Sequence, residues 1–512
     1  MTSTAGITGR ALRAVKWNYL GTVGRIVATF ASQIFLARLL GPEAFGLFGY
    51  AFLTVTLLAL VVEMGLQQAL IQTPELSDEI VSTATGRLLL AGCVAALGVF
   101  VSADFIAARV FEQPAAAPVI RAMAPSLVVG AGIAAATAIL SRDIEFKVIQ
   151  LSGLGAYVVG YLVIGVAAGW LGFGVWALVA AWYGFMVLSC VAMLWFAPRS
   201  LHPGNPFRRL SIAGFGNVIM VTNIVNWVID SAAHVIIGRS FGAASLGQFT
   251  VANNLVKVPA DHLVRNLQTV LLPLASRAQH NDAGLRRAYL TVLSGVGIIV
   301  FPLFTFVALM AHQVVMLLLG ARWEGTAALL MPLSVAMIAH AAEALCGPVL
   351  SGRGEPRVEL HLKIVTLVAM LAAIGVASNH SLVAVAWALT GVFVLRWLWM
   401  NAALLRRLQI PFGDFLRAIA GPVTLGAVAA AIATAANAAH ATRWPAVPEV
   451  VVLLVGAAAV AIVCVALLVL APGLVLGPYL LQLADRLFVA RPGLAHTWLL
   501  HRVAASARRA AS

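Results

Sequence analysis

The chain is a succession of apolar stretches, each about as long as a hydrocarbon core is thick, separated by short segments that collect the basic residues. No other feature limits the fold as tightly. Inside a bilayer every backbone N–H and C=O must be paired within the protein, so apolar stretches of ~20 residues cross it as helices. Fourteen such stretches are expected near residues 17–40, 45–71, 83–104, 118–140, 147–169, 172–197, 211–238, 245–273, 288–311, 325–348, 359–378, 381–404, 416–438 and 449–471. Composition excludes the alternatives. Of 512 residues 62% are hydrophobic and 10% charged, whereas a soluble domain carries roughly 25% charged residues. Too few charges exist to coat a water-facing surface, which rules out a soluble enzyme, a disordered chain and a disulfide-framed secreted domain.

Lys and Arg number 33 against 19 Asp and Glu, a net charge of +14. In a soluble chain that excess points to nucleic acid. Here the cations lie between apolar stretches, where they set helix orientation, and no nucleic-acid partner is expected. With the N-terminus inside, 24 of the 33 fall in cytoplasmic segments. The outer side receives Arg38, Arg109, Arg121, Arg239, Arg322 and Arg443, while Arg25, Lys257 and Arg265 lie within spans. This bias puts both termini in the cytoplasm. The segment 72–82 is acidic, with Glu75, Asp78 and Glu79, but acids weigh little in the rule. Arg10, Arg13 and Lys16 precede a long first span that runs on to Leu40, so no cleaved signal peptide is expected. Cys93, Cys190, Cys346 and Cys464 all sit in apolar segments and read as plain hydrophobes, with no disulfide frame or metal spacing.

The sequence repeats itself. Residues 38–51 read RLLGPEAFGLFGYA and residues 239–252 read RSFGAASLGQFTVA. At a constant offset of 201, Arg38 aligns with Arg239, Gly41 with Gly242, Gly46 with Gly247, Phe48 with Phe249 and Ala51 with Ala252. Without a gap, Leu66-Gln67 then aligns with Leu267-Gln268, and Leu70 with Leu271. The two copies pair spans 1–2 with spans 7–8. Six spans separate them, so both point the same way. The expected fold is an all-α polytopic membrane protein: two parallel-repeat six-helix lobes about an axis along the membrane normal, around a central cavity, plus two extra C-terminal helices. The lobes are residues 1–197 and 211–404. A basic cytoplasmic linker (198–210) joins them, and spans 13–14 (405–471) and a basic tail (472–512) follow. The tail, with Arg486, Arg491, Arg502, Arg508 and Arg509 among Leu, Phe and Trp, reads as an interfacial helix on the anionic inner leaflet.

The segment ARLLGPEAFGLFGYA, the turn at Gly65-Leu66 with ALIQ, and the stretch KVPADHLVRNLQTVLLPLASRAQ resemble Wzx-type polysaccharide and lipopolysaccharide flippases, particularly the colanic-acid-exporter-like branch. That family lies in the multidrug/oligosaccharidyl-lipid/polysaccharide exporter superfamily. The resemblance implies a multi-pass bacterial inner-membrane protein. Its implied cargo is a short oligosaccharide on undecaprenyl diphosphate, turned from the cytoplasmic to the periplasmic leaflet. Implied partners are membrane lipids, a coupling proton or sodium, and a glycan polymerase with a chain-length regulator. A cation-coupled multidrug efflux antiporter of the same superfamily is the alternative; its cation site resembles the acids of spans 7, 8 and 10. A membrane-embedded glycan polymerase or ligase needs a large outer loop, and every outer loop here is short.

A charge at the bilayer centre costs at least roughly 2.5–3.5 kcal/mol and is kept for a reason. Lys257, Asp261 and Arg265 recur every four residues in span 8 and so share one helical face. Asn253 and Asn254 extend it, and Pro259 is expected to kink the helix. Two readings stay open: a self-neutralising ladder, or a cavity wall whose surplus cation meets a diphosphate. Arg25, beside Gly21 and Gly24, either meets the carrier phosphate or snorkels to the interface. Arg25, Lys257, Arg265 and Asn254 are therefore the candidate substrate-binding residues. Asp230, Asp261, Glu343 and Glu63 are the candidates for ion coupling or charge pairing, with Glu63 placed to pair with Arg87 or Arg25. His340 lies one turn from Glu343; His234 and His262 read as hydrogen-bonded core residues. No phosphate loop, HExxH or EF-hand pattern occurs. No catalytic residue, cofactor or metal is expected, and the chain does not read as an enzyme.

Overall fold

The computed structural model describes residues 4–63, 65–73, 76–197, 201–208, 213–277, 282–353 and 356–490, with residues 4–20, 265–267 and 484–490 among those described by backbone alone. Among the described residues there is no strand. Two compact units divide the chain, Met1–Val251 and Ala252–Ser512.

The first unit holds α1 (Thr4–Leu40), α2 (Pro42–Glu63), α3 (Leu66–Gln72), α4 (Asp78–Phe105), α5 (Ala117–Met123), α6 (Ser126–Arg142), α7 (Phe146–Tyr157), α8 (Val166–Trp170), α9 (Val175–Phe196) and the start of α10 (Ala213–Arg277). Within α10 the backbone leaves helical values only at Gly242, with φ 81° and ψ −176°, so α10 is two arms folded at one glycine. Gly41, between α1 and α2, has φ +79°. The two glycines aligned by the sequence repeat thus share a positive φ, which L-residues rarely adopt. The first unit's core gathers Tyr50, Leu88, Ile120, Met123 and Leu127, and the Tyr50 hydroxyl donates to the Gly238 carbonyl at 2.8 Å.

Two interruptions shape this unit. α2 ends at Glu63, and Gly65 (φ 64°) starts the short α3. The guanidinium of Arg142 closes the exposed end of α3, donating from Nη1 to the carbonyls of Leu70 (3.2 Å), Ile71 (3.4 Å) and Thr73. Arg142→Ala leaves these carbonyls without a charged donor, at a cost of about 1.5–3 kcal/mol. A lowered melting temperature of the purified variant is the check. The second interruption is a π-helical segment, Val158–Gly165, between α7 and α8. Gly160 and Gly184 let this segment and α9 approach within backbone contact.

The segment 201–208 is pinned to the start of α4. The Gly204 N–H donates to the Ser82 carbonyl at 2.8 Å, Arg87 donates to the carbonyls of Pro206 (3.1 Å) and Arg208 (2.8 Å), and Arg208 pairs with Glu79.

The second unit continues α10 and adds α11 (Asp282–Leu309), α12 (Ala311–Leu318), α13 (Glu324–Glu343), α14 (Cys346–Gly352), α15 (Pro356–Ala377), α16 (Leu382–Arg407), α17 (Phe412–Thr442), α18 (Glu449–Leu470), α19 (Pro472–Val475) and α20 (Gly477–Ala490). Its core includes Tyr289, Trp323, Leu329 and Leu389. α20 packs on α11 and α17, with Leu481 buried; the tail beyond 490 lies outside the described residues.

Among the described residues ten helices are long and apolar enough to cross a membrane, or eleven if the pair Pro114–Met123 and Ser126–Arg142, bent by 41°, is one span. The bent pair occupies the expected fourth span. The expected eleventh contains a shorter apolar helix, His361–Ala377. The expected seventh and eighth are the arms of α10. Pro259 lies inside continuous helix, because its fixed φ is compatible with helical backbone even though one hydrogen bond is lost.

Candidate functional site

Small residues decide where Arg25 goes. A Cβ added at Gly21 or Gly24 would meet Gln150 or Leu154 of α7, so these glycines let α1 and α7 pack closely. The Arg25 guanidinium then lies over the rings of Tyr157 (5.8 Å) and Phe185 (5.3 Å). Tyr157 stacks on Tyr161 at 4.5 Å, and its hydroxyl meets Ser32 at 3.0 Å. The aromatic bed satisfies one face of the cation, and among the described residues no carboxylate meets its N–H edge.

Arg25 and Glu63 line one cavity of about 370 Å³ within the first unit. No ion pair joins them, and Glu63 pairs with no cation among the described residues. The expected Arg87 partner is spent on the 201–208 segment.

The second unit holds a different cluster. Along α10, Leu255, Val256, Ala260 and Val264 are buried, while Asn253, Asn254, Lys257 and Asp261 form a half-buried polar face. Asp261 reaches His340 of α13, with Oδ1 3.0 Å from Nε2. One turn further, Glu343 is 3% exposed and pairs with Arg396 of α16 at 2.9 Å. The Tyr289 hydroxyl donates to Asn401 at 2.5 Å beside them. Asp261 and Glu343, expected as a functional group, are thus brought to one face of α13. Arg265 belongs to α10, but its side chain lies outside the described residues. Asp230 is exposed on the first arm of α10, and the His234 ring packs edge-on to Phe249 at 5.0 Å.

Arg396 is the residue the sequence reading misplaces. It counts there among the cytoplasmic cations, yet it sits in the middle of α16, 15% exposed. Its position fourteen residues into an apolar run is the signal that identifies it. With Arg396 included, the embedded acids Glu63, Asp230, Asp261 and Glu343 are matched in number by Arg25, Lys257, Arg265 and Arg396.

Residues 35–328 match the family model described as polysaccharide biosynthesis protein. The chain belongs to that family. It is 25% identical over 329 residues to the lipopolysaccharide biosynthesis protein WzxC of Escherichia coli, covering 64% of this chain and 66% of that one. It is 25% identical over 313 residues to the succinoglycan biosynthesis transport protein ExoT of Rhizobium meliloti, covering 61% and 63%. The match therefore spans just under two thirds of each of these relatives. The fold is that of a solved lipid II flippase, MurJ, in an inward closed conformation: TM-score 0.68, 12% identity, 89% of this chain and 98% of that one. The family is that expected from the ARLLGPEAFG segment, and the chain is a multi-pass, all-helical membrane protein.

Proposed function

We propose that the protein is a flippase that carries a short oligosaccharide on undecaprenyl diphosphate across the bacterial inner membrane, for exopolysaccharide or lipopolysaccharide assembly. The observation that carries this reading is Arg25, a guanidinium within the first span with no carboxylate partner among the described residues, seated on aromatic rings beside a cavity. An embedded cation of that kind suits an anionic headgroup that comes and goes, because a permanent carboxylate partner would compete with the phosphate. Lys257, Arg265 and Asn254 supply further polar contacts from span 8. The cargo agrees with relatives named for lipopolysaccharide and succinoglycan biosynthesis.

In this reading residues 1–197 and 211–404 are the repeat lobes, joined by 198–210 and followed by 405–471 and 472–512. Both termini are cytoplasmic, supported by the bias of Lys and Arg. Arg25 and Glu63 then lie toward the leaflet where the cargo is loaded. The chain acts as a transporter and not as an enzyme. A glycan polymerase and a chain-length regulator act downstream, and transport is driven by proton or sodium exchange. The Asp261–His340 contact supports a protonatable element; Glu343 is held by Arg396 and is less suited to the task. That salt bridge also weighs against cation-coupled drug efflux, which would draw on Glu343.

The test is a deletion strain complemented with variants. Deletion is expected to accumulate carrier-linked oligosaccharide, and the wild-type gene to restore surface glycan. Arg25→Gln and Lys257→Gln each remove a charge-assisted contact of about 1.5–3 kcal/mol, so export falls by roughly 10- to 100-fold. Full surface glycan with both replaced would defeat the assignment.

A further inference from the structure

The cavity beside Arg25 holds more unmet polar groups than a phosphate needs. Three of its hydroxyls are engaged: Ser126 donates to the Met123 carbonyl, Thr137 meets Met193, and Thr56 accepts from Trp227 at 3.2 Å. Others are not. The Ser189 hydroxyl is buried, on a residue 1% exposed, with no partner among the described residues. The indole N–H of Trp182 is buried with no partner among the described residues. Glu63 and Gln67 line the same space without a partner among the described residues. Buried polar groups in native proteins are paired as a rule, so unpaired groups on residues that border one cavity, with Glu63 and Gln67 in its lining, mark a ligand's place.

We infer that this cavity is a saccharide subsite, which seats the sugar next to the phosphate while Arg25 holds the phosphate. The inference rests on the transport reading above and adds the residues that recognise sugar. The chemistry is complementary group by group. A carboxylate and a carboxamide accept and share sugar hydroxyls, and the Trp182 N–H and Ser189 hydroxyl supply further partners. The faces of Trp182 and Phe185, both in the lining, offer negative quadrupoles to the C–H face of a pyranose. At about 370 Å³ the space is near the lower end of small-molecule sites, roughly 300–1,000 Å³. It suits one sugar unit rather than a whole repeat. A lipophilic cation would use Glu63 and the rings, but it would be repelled by Arg25 and would leave the Ser189 and Trp182 hydrogens unmet.

The experiment compares two soluble probes on the purified full-length protein: farnesyl diphosphate, and the same compound carrying one hexose on its terminal phosphate. In the wild type the hexose is expected to tighten binding by at least ~10-fold, one or two good hydrogen bonds' worth. Glu63→Gln and Ser189→Ala, both nearly isosteric, should each shrink that ratio, and together bring it close to one. Arg25→Gln should weaken both probes alike. Equal wild-type affinity for the two probes would overturn the sugar subsite alone. So would a hexose gain that survives in the double variant. Failure of the wild type to bind either probe would overturn the transport reading, and this inference with it. Ethidium binding that is lost in Glu63→Gln would replace the subsite with a cation site.

Discussion

Arg396→Leu is expected to destabilise the protein by about 3–5 kcal/mol, the cost of leaving a buried carboxylate without its counter-charge. Glu343 is 3% exposed and its partner is 15% exposed, 2.9 Å away, so water cannot replace the lost guanidinium. Removing both charges tells a different story. Glu343→Leu with Arg396→Leu replaces a desolvated pair by apolar surface, which is often neutral or stabilising. The double variant is therefore expected to melt within a few degrees of the wild type, far above Arg396→Leu alone, and the cycle should give a coupling of at least about 3 kcal/mol, the size of the single loss. The Asp104–Arg121 pair is the contrast. Its side chains are 73% and 35% exposed, and Asp104→Asn should change stability by no more than about 1 kcal/mol. Thermal melting of these purified variants, with Glu343→Leu alone to close the cycle, is the check. Melting of Arg396→Leu together with the wild type would show that the pair does not hold α13 to α16.

The sequence discloses the fold through features that do not depend on packing. Apolar length gives ten of the spans among the described residues, or eleven with the bent pair, and the 201-residue offset picks out Gly41 and Gly242, turn glycines dictated locally by backbone conformation. The bent fourth span and the π segment at Val158–Gly165 are less legible. They come from close approach of backbones at Gly160 and Gly184, which hydropathy does not register. The site was legible in part. Embedded charges stand out in an apolar chain, so Arg25, Glu63, Asp261 and Glu343 could be picked one by one. Their partners could not. Arg87 is nearer to the Glu63 end of the membrane on paper, yet it is consumed by the carbonyls of Pro206 and Arg208. Arg396 was hidden by proximity in sequence to Arg406 and Arg407. The orphaned Ser189 and Trp182 carry no sequence signal at all, since serine and tryptophan are ordinary in membrane helices and only the packing shows which ones lack partners.

Gly46→Val and Gly247→Val are each expected to cost about 3 kcal/mol or more, beyond ordinary overpacking, because the obstacle is backbone. A Cβ at Gly46 would overlap the carbonyl of Ala243, and a Cβ at Gly247 would overlap the carbonyl of Pro42. Residue 42 shifted by 201 is residue 243, and 46 shifted by 201 is 247. The two contacts are therefore one contact made twice, as a pseudo-twofold axis between the repeat turns requires. Helix propensity pulls the other way, favouring alanine over glycine by roughly 1 kcal/mol, but a main-chain carbonyl cannot rotate aside as a side chain can. Even Gly46→Ala and Gly247→Ala should therefore lose stability. Gly375→Ala, which meets nothing within 4 Å, should lose none. The symmetry makes a sharper demand: the Gly46 and Gly247 variants should melt at similar temperatures. Their combination should cost less than the sum, since the first separation of the turns relieves the second clash. Melting curves of the four proteins decide it. Unequal single effects that add in full would mean the two turns meet by chance and not by the repeat.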